Sequence, residues 1–252
     1  MSAPRKTAKG RVRKGPSGQG PAPAPAIRKP APKLVKRRNY VVPYFVDKGE
    51  VYYFLAVTQE KIKGTSTTEY TCSTLGGVQH PKQAEEAGAL RELDEESVGY
   101  WKPPAADIFR LAEIPHHTSW KKEFHRFYFY PIQHEDDLPK TLALHRAAMY
   151  ARAGPGGLKK DCTECTFIYP FTEAELRALP PNPDIAASKG KSRFDNVWGC
   201  CDQAPGEAAI DTFETGRAFG TITLYVWTQI ADLLDVINTH NAAIRSRAKP
   251  KS

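Results

Sequence analysis

An α/β fold is expected for this chain, and three features are consistent with it. Two runs rich in Val, Tyr and Phe, at residues 39–47 and 51–58, flank Lys48-Gly49 in the manner of a β-hairpin. Residues 84–96 are mostly strong helix formers. The apparent order beyond them is strands, a helical stretch, another strand and further helices, which a sheet covered by helices accommodates.

Length and composition narrow the class. The chain has 252 residues, of which 40% are hydrophobic and 25% charged, enough for one large domain with tails. The net charge of +8 is uneven. Residues 1–40 carry twelve Lys and Arg and no acid, whereas residues 41–252 carry 24 bases against 28 acids. Residues 1–38 are rich in Pro, Ala, Gly, Lys and Arg, and too poor in apolar side chains to offset ordering entropy, so a disordered basic tail is expected there. Such a tail binds polyanions such as RNA, directs nuclear import around Lys36-Arg37-Arg38, or merely solubilises; being acid-poor it also fits a mitochondrial transit peptide, against which its prolines count. No apolar run reaches the roughly 18 residues of a membrane span, and the N-terminus has no signal-peptide core. An intracellular, cytoplasmic protein without membrane contact is expected, with the nucleus an option opened by the tail.

The five cysteines are Cys72, Cys162, Cys165, Cys200 and Cys201. An odd count without a secretion signal argues against a disulfide framework. Cys162-x2-Cys165 with Cys200-Cys201 offers four thiols for zinc, but adjacent cysteines do not make a second knuckle. Reduced, partly buried thiols are the plainer reading.

The elements follow in order. After the hairpin, residues 59–68 read as a polar loop and 69–75 as a short strand running into Gly76-Gly77, a pair suited to a tight turn or close approach. Pro81 is expected to open a helix, with Ala87, Leu90 and Leu93 as its apolar stripe. Residues 107–114 and the aromatic run 123–132 read as strands. The loop between them holds His116, His117, Trp120 and Lys121, candidates to line a pocket. Residues 134–163 look like an insertion with a helix over 138–152. Residues 164–171 form a strand, and Thr172 caps a short helix. Residues 180–216 are loop-rich. Helical spacing from Ile222 through Ile244 predicts a last helix over 221–245, followed by a frayed basic tail over 246–252. The main domain is thus placed at 39–245.

The chemistry concentrates between Gly76 and Gly99, in the sequence GGVQHPKQAEEAGALRELDEESVG. Glu92, Glu95 and Glu96 stand at i, i+3 and i+4, on one face of a helix. Like charges so placed repel by about 0.2–0.5 kcal/mol per pair. A hard divalent cation with oxygen ligands is the natural compensation.

This segment resembles the Nudix box, G-x5-E-x7-R-E-U-x-E-E-x-G-U, where U is bulky and apolar. Gly77, Arg91, Glu92, Leu93, Glu95 and Glu96 match it at the required spacing. Gln83 stands where the family has its first Glu, with Glu85 and Glu86 close by as substitutes. Val98 stands where the family has Gly, and Gly99 follows one position late as an alternative helix cap. The resemblance implies an α/β/α sandwich with a mixed sheet. It implies hydrolysis of a nucleoside diphosphate derivative by attack of water on phosphorus. It places Mg²⁺ or Mn²⁺ on Glu92, Glu95 and Glu96, with Glu95 and Glu96 catalytic. Gly76 and Gly77 lie near metal and phosphates, and Arg91 orients the acids. The family often adds an acid from outside the box. Glu164 is preferred here as catalytic base, over Glu123 and Glu135. Tyr44, Phe45 and Trp120 are candidates to stack on a base, although Phe45 is better suited to the core.

The expected substrate is nucleotide-like, and a basic arm with an insertion would suit a capped RNA. The alternative is a non-catalytic module of the same fold that binds RNA or a partner, which Gln83 favours. Oligomeric state is left open.

Overall fold

Alternation of Tyr and Val from Asn39 onward puts successive side chains on opposite faces of a strand, and both faces are apolar. Such a strand must be covered twice. A computed structural model shows how. It describes residues 35–61, 68–118, 121–135, 138–154, 157–158, 165–179, 181–182, 224–227 and 229–249. These belong to one compact unit, Val35–Ser252.

Strand β1 (Lys36–Asp47) turns at Lys48-Gly49 into β2 (Glu50–Lys61). Both turn residues have positive φ, 50° and 84°, as a two-residue hairpin demands. β3 (Thr68–Ser73) and β4 (Leu75–Val78) lead to helix α1 (Glu85–Glu96). A 3-10 turn (Ala105–Asp107) precedes β5 (Phe109–Thr118) and β6 (Lys121–Pro131). Helix α2 (Leu138–Ala153), strand β7 (Phe167–Thr172) and helix α3 (Glu173–Ala178) follow. β8 (Pro181–Asn182), β9 (Leu224–Trp227) and helix α4 (Gln229–Ser246) complete the described elements.

The sheet is mixed. Its main path runs β5-β6-β1-β2-β3-β9-β8, with β4 added on β1 and β7 on β2. β1 lies parallel to β6 and antiparallel to β2 and β4. Tyr40, Val42 and Tyr44 face one side, where Leu176 of α3 and Ile230, Leu233 and Ile237 of α4 cover them. Val41 and Phe45 face the other, under Ala89 and Leu93 of α1 and Leu138 and Leu142 of α2. Two helical layers enclose the sheet, as the α/β/α expectation required.

β1 and β2 do not stay together. They pair only from Tyr44–Tyr53 to Asp47–Glu50. Nearer its start, β1 pairs with β4 and β6, while the far half of β2 pairs with β3 and β7. The sheet forks at that point, and a cavity lies in the fork.

Several expectations are corrected. β1 begins at Lys36, so residues 36–38 are strand; the rest of the expected tail, residues 1–34, lies outside the described residues. Pro81 sits in a turn, and α1 starts four residues later. Ala87 faces solvent, and the buried set of α1 is Gly88, Ala89 and Leu93. Residues 224–227 form a parallel strand on β3, not the first turn of the last helix. A strand buried in a parallel pairing needs no alternation, so helical spacing there was fortuitous. β5 runs through His116 to Thr118, where a loop was expected. Beyond α4, the Arg247 guanidinium stacks 4.3 Å from the centre of the Phe109 ring, so the chain is docked there rather than frayed. Thr172 caps α3 through a full capping box with Glu175.

Candidate active site

Two glycines let the segment before α1 press against both its neighbours. Gly76 (φ 150°) pairs with Tyr40 on β1, and a Cβ there would lie 2.2 Å from the Asn39 carbonyl oxygen. A Cβ on Gly77 would lie 2.6 Å from Glu92 Oε1. On β1, buried Asn39 donates from Nδ2 to the Glu85 carbonyl at 3.0 Å, and Gly88 leaves room for that amide. The helix is thereby seated on the strand, with its last turn beside the glycine pair. There Glu96 Oε2 accepts a 2.9 Å hydrogen bond from the Gly76 N–H.

Arg91 donates to both Glu92 and Glu95. These side chains are only 13% and 17% exposed. Two carboxylates thus meet one guanidinium and the third meets a backbone N–H at the C-terminal end of a helix, where the dipole already disfavours negative charge. The surplus charge and the all-oxygen donor set suit a hard divalent cation. Glu92, Glu95 and Glu96 could hold one.

Side chains from distant sequence fix both ends of α1 in ways the sequence did not signal. Arg146 of α2 is fully buried and donates to the carbonyls of Glu96 and Cys165. A cation on the last carbonyls of α1 satisfies groups the helix leaves unpaired. At the other end, Glu85 is held by Arg126 at 2.7 Å and Arg110 at 2.8 Å. It is therefore committed to the helix start and does not replace the charge missing at Gln83. Gln83 itself donates from Nε2 to the Ala87 carbonyl at 3.1 Å.

The family Gly position is informative. Val98 adopts φ 54°, and Gly99 follows at 80°. The Val98 N–H reaches the Glu95 carbonyl at 3.1 Å, and the Gly99 N–H the Asp94 carbonyl at 2.7 Å. This is a Schellman stop with Val at the left-handed position. Gly99 is therefore not the substitute cap; Val98 takes the strained conformation itself.

The fork between β1 and β2 encloses a cavity of about 520 Å³. Glu96, Gly76, Arg38, Glu123, His116 and His125 are among the residues that line it. Glu123 is buried and bonded to Arg38 at 2.7 Å and Lys36 at 3.1 Å. Burial alone would raise its carboxyl, but those hydrogen bonds outweigh it and hold the pKa below the ordinary value. His116 and His125 share Asp232 of α4, at 2.7 and 2.8 Å.

The remaining candidates divide. Glu164 and Trp120 lie outside the described residues, as do Cys162, Cys200 and Cys201 and the side chains of His117 and Lys121. Glu135 is exposed and does not line the cavity. Tyr44 and Phe45 are core residues, 0% and 5% exposed, so neither is open to a base. Tyr44 donates its hydroxyl to the Ile244 carbonyl instead. Cys72 and Cys165 are buried, and the Cys165 thiol lies 3.0 Å from the Phe167 carbonyl oxygen. His125 and Asp232 were missed. The signal for His125 was a polar residue on the face of β6 otherwise given to Phe127 and Phe129.

No family model matches the sequence, and no curated protein matches it. Solved structures do. A MutT/nudix family protein from Enterococcus faecalis matches at 12% identity and a TM-score of 0.45, covering 85% of this chain and 65% of that one. The NUDIX domain of Shewanella oneidensis NrtR, in complex with ADP ribose, matches at 13% identity and a TM-score of 0.38, covering 62% and 84%. A C. elegans Ap4A hydrolase matches at 14% identity and a TM-score of 0.29, covering 40% and 69%. This chain therefore spans less than two thirds of the Enterococcus protein. The Enterococcus and Shewanella chains are Nudix proteins, and the Nudix superfamily is the one this chain resembles through Gly77 to Glu96.

Proposed function

We propose that this protein is a metal-dependent hydrolase of Nudix type, cleaving a pyrophosphate linkage in a nucleoside diphosphate derivative. The observation that carries the reading is Glu96, which belongs both to the carboxylate turn of α1 and to the wall of a cavity of about 520 Å³. That volume is in the range of small-molecule sites.

Bound Mg²⁺ or Mn²⁺ would shield phosphate oxygens and lower the pKa of a coordinated water. Glu92, Glu95 and Glu96 hold the cation, and Arg91 keeps Glu92 and Glu95 aimed together. The Gly76 N–H fixes the Glu96 carboxylate against rotation, so Glu96 meets the substrate already oriented. Arg38, at the cavity wall, supplies positive charge toward a phosphate, although Glu123 tempers it. Glu164, in the segment leading into β7, is kept as the proposed general base outside the box. Capped RNA is one substrate within this class, favoured by the basic residues 1–38, which would capture RNA in a salt-sensitive way.

A second reading has a specific observation behind it. Arg91 already pairs with two of the three box acids, and Gln83 lacks the family's charge. A non-catalytic module that binds RNA would look like this too. A hydrolysis screen separates the two readings. Free nucleotides, ADP-ribose, dinucleoside polyphosphates and capped RNA would each be incubated with the full chain and Mg²⁺ or Mn²⁺. Metal-dependent turnover of any one supports the enzyme. No turnover on all four, with RNA binding retained, supports the module.

A further inference from the structure

Beside the cavity lies a cluster that the hydrolase reading does not use, two of whose members, His116 and His125, line it. We propose that His116, His125 and Asp232 form a second metal centre, separate from the box carboxylates, which takes a zinc-type divalent cation.

The cluster is assembled from three elements. His116 lies on β5 and His125 on β6. In the antiparallel register His116 pairs with Glu123 and Ile114 with His125, so the two histidines are diagonal neighbours on one face. Their rings stack at 4.0 Å and 15°. Asp232, in the first turn of α4, reaches them from across the layer. Its Oδ2 stands 2.7 Å from His116 Nδ1 and 2.8 Å from His125 Nδ1. The three donor atoms all lie within 4.8 Å of one another.

Two imidazole nitrogens and one carboxylate oxygen are a zinc-type donor set, whereas the all-oxygen box suits Mg²⁺ or Mn²⁺. Donors about 2.0–2.1 Å from a tetrahedral ion stand ~3.4 Å apart, so each N···O separation need widen by only ~0.6 Å to admit one. Both histidines converge on Asp232 through Nδ1, the geometry of ligands aimed at one point. Three protein ligands leave a fourth position. Since His116 and His125 line the same cavity as Glu96, that position opens toward a substrate rather than into the core. The edge of the Tyr40 ring packs on His125 with ring centroids 5.1 Å apart, and limits its rotation.

The test is metal binding by the full chain, read without activity. Zn²⁺ is titrated by calorimetry, and Co²⁺ by visible absorption, into wild type, His116→Ala, Asp232→Asn and the double variant Glu95→Gln/Glu96→Gln, with circular dichroism as the check on folding. The expected result is one Zn²⁺ per wild-type chain, not displaced by excess Mg²⁺ and retained by the double Glu variant. His116→Ala and Asp232→Asn should each weaken it by more than the roughly 10–100-fold that loss of an outer-shell partner costs. The wild-type Co²⁺ spectrum should be that of nitrogen and oxygen ligands, so the proposal remains testable if a variant does not fold. No Zn²⁺ uptake by folded wild type would overturn it. So would uptake lost with the box acids but kept in Asp232→Asn, or a Co²⁺ spectrum dominated by thiolate charge transfer.

Discussion

At Gly77 the distance to a neighbouring carboxylate decides what a side chain would do. An added Cβ would meet Glu92 at 2.6 Å, and the carboxylate is the flexible end of a side chain. At Gly76 the added atom would meet backbone, the Asn39 carbonyl at 2.2 Å. The two substitutions should therefore separate. Gly77→Ala is expected to keep the fold within about 1 kcal/mol in urea denaturation while weakening Mn²⁺ binding, because Glu92 must swing away. Gly76→Ala is expected to cost about 1–3 kcal/mol, since strand pairing itself must shift. Equal losses of stability with unchanged Mn²⁺ affinity would show that Glu92 is not a ligand. The spacing of the glycines and acids was legible in the sequence, because the box compresses its chemistry into one loop and one helix. The conformation of Val98 was not. A β-branched residue at φ 54° is chosen by the helix stop that surrounds it, and local propensity points elsewhere.

At the scale of elements, α1 is held at both ends by side chains from distant sequence. Arg126 and Arg110 hold Glu85 at its start, and Arg146 of α2 takes the Glu96 carbonyl at its finish. Arg146→Met is expected to leave the buried Cys165 carbonyl and the part-buried Glu96 carbonyl without this donor, at about 1–3 kcal/mol for the buried one. The melting temperature should fall, and Mn²⁺ affinity with it, because Glu96 is on the freed turn. A melting temperature matching wild type would contradict this role. Strands and helices with clean periods were readable: the hairpin, the aromatic β6, and the Thr172 cap. The strand at Leu224–Trp227 was not, because its residues suit a helix as well as a strand and only its pairing with β3 decides. Arg146 was hidden for a related reason. A lone arginine on a helix is ordinarily solvated, and nothing local announces a buried one.

Over the whole molecule, the sheet forks between β1 and β2, and charge pairs tie β1 to β6 on its other side. Glu123 of β6 is tied to Lys36 and Arg38 of β1, near the His116–His125–Asp232 cluster. Its folded pKa lies below the ordinary 4.5. The stability it adds is therefore complete above about 4.5 and is lost as pH falls through the lower folded value. Glu123→Gln should destabilise the protein near neutral pH, and the gap between its urea midpoint and that of wild type should shrink below pH ~4.5. A gap independent of pH would show that packing, not charge, makes the difference. The sequence revealed two faces and a box; it could not reveal that residues 38, 96, 123 and 125 share one cavity, since sheet order, not chain order, brings them together. No helix among the described residues is long and apolar enough to cross a membrane.

The central claim is that the acids of α1 hold a divalent cation. Electron paramagnetic resonance of Mn²⁺ titrated into the full chain tests it most directly, because free Mn²⁺ is visible and bound Mn²⁺ is not. Wild type should bind Mn²⁺, and Glu95→Gln/Glu96→Gln should lose that binding by about 100-fold or more while remaining folded. Equal Mn²⁺ binding by wild type and the double variant would contradict it.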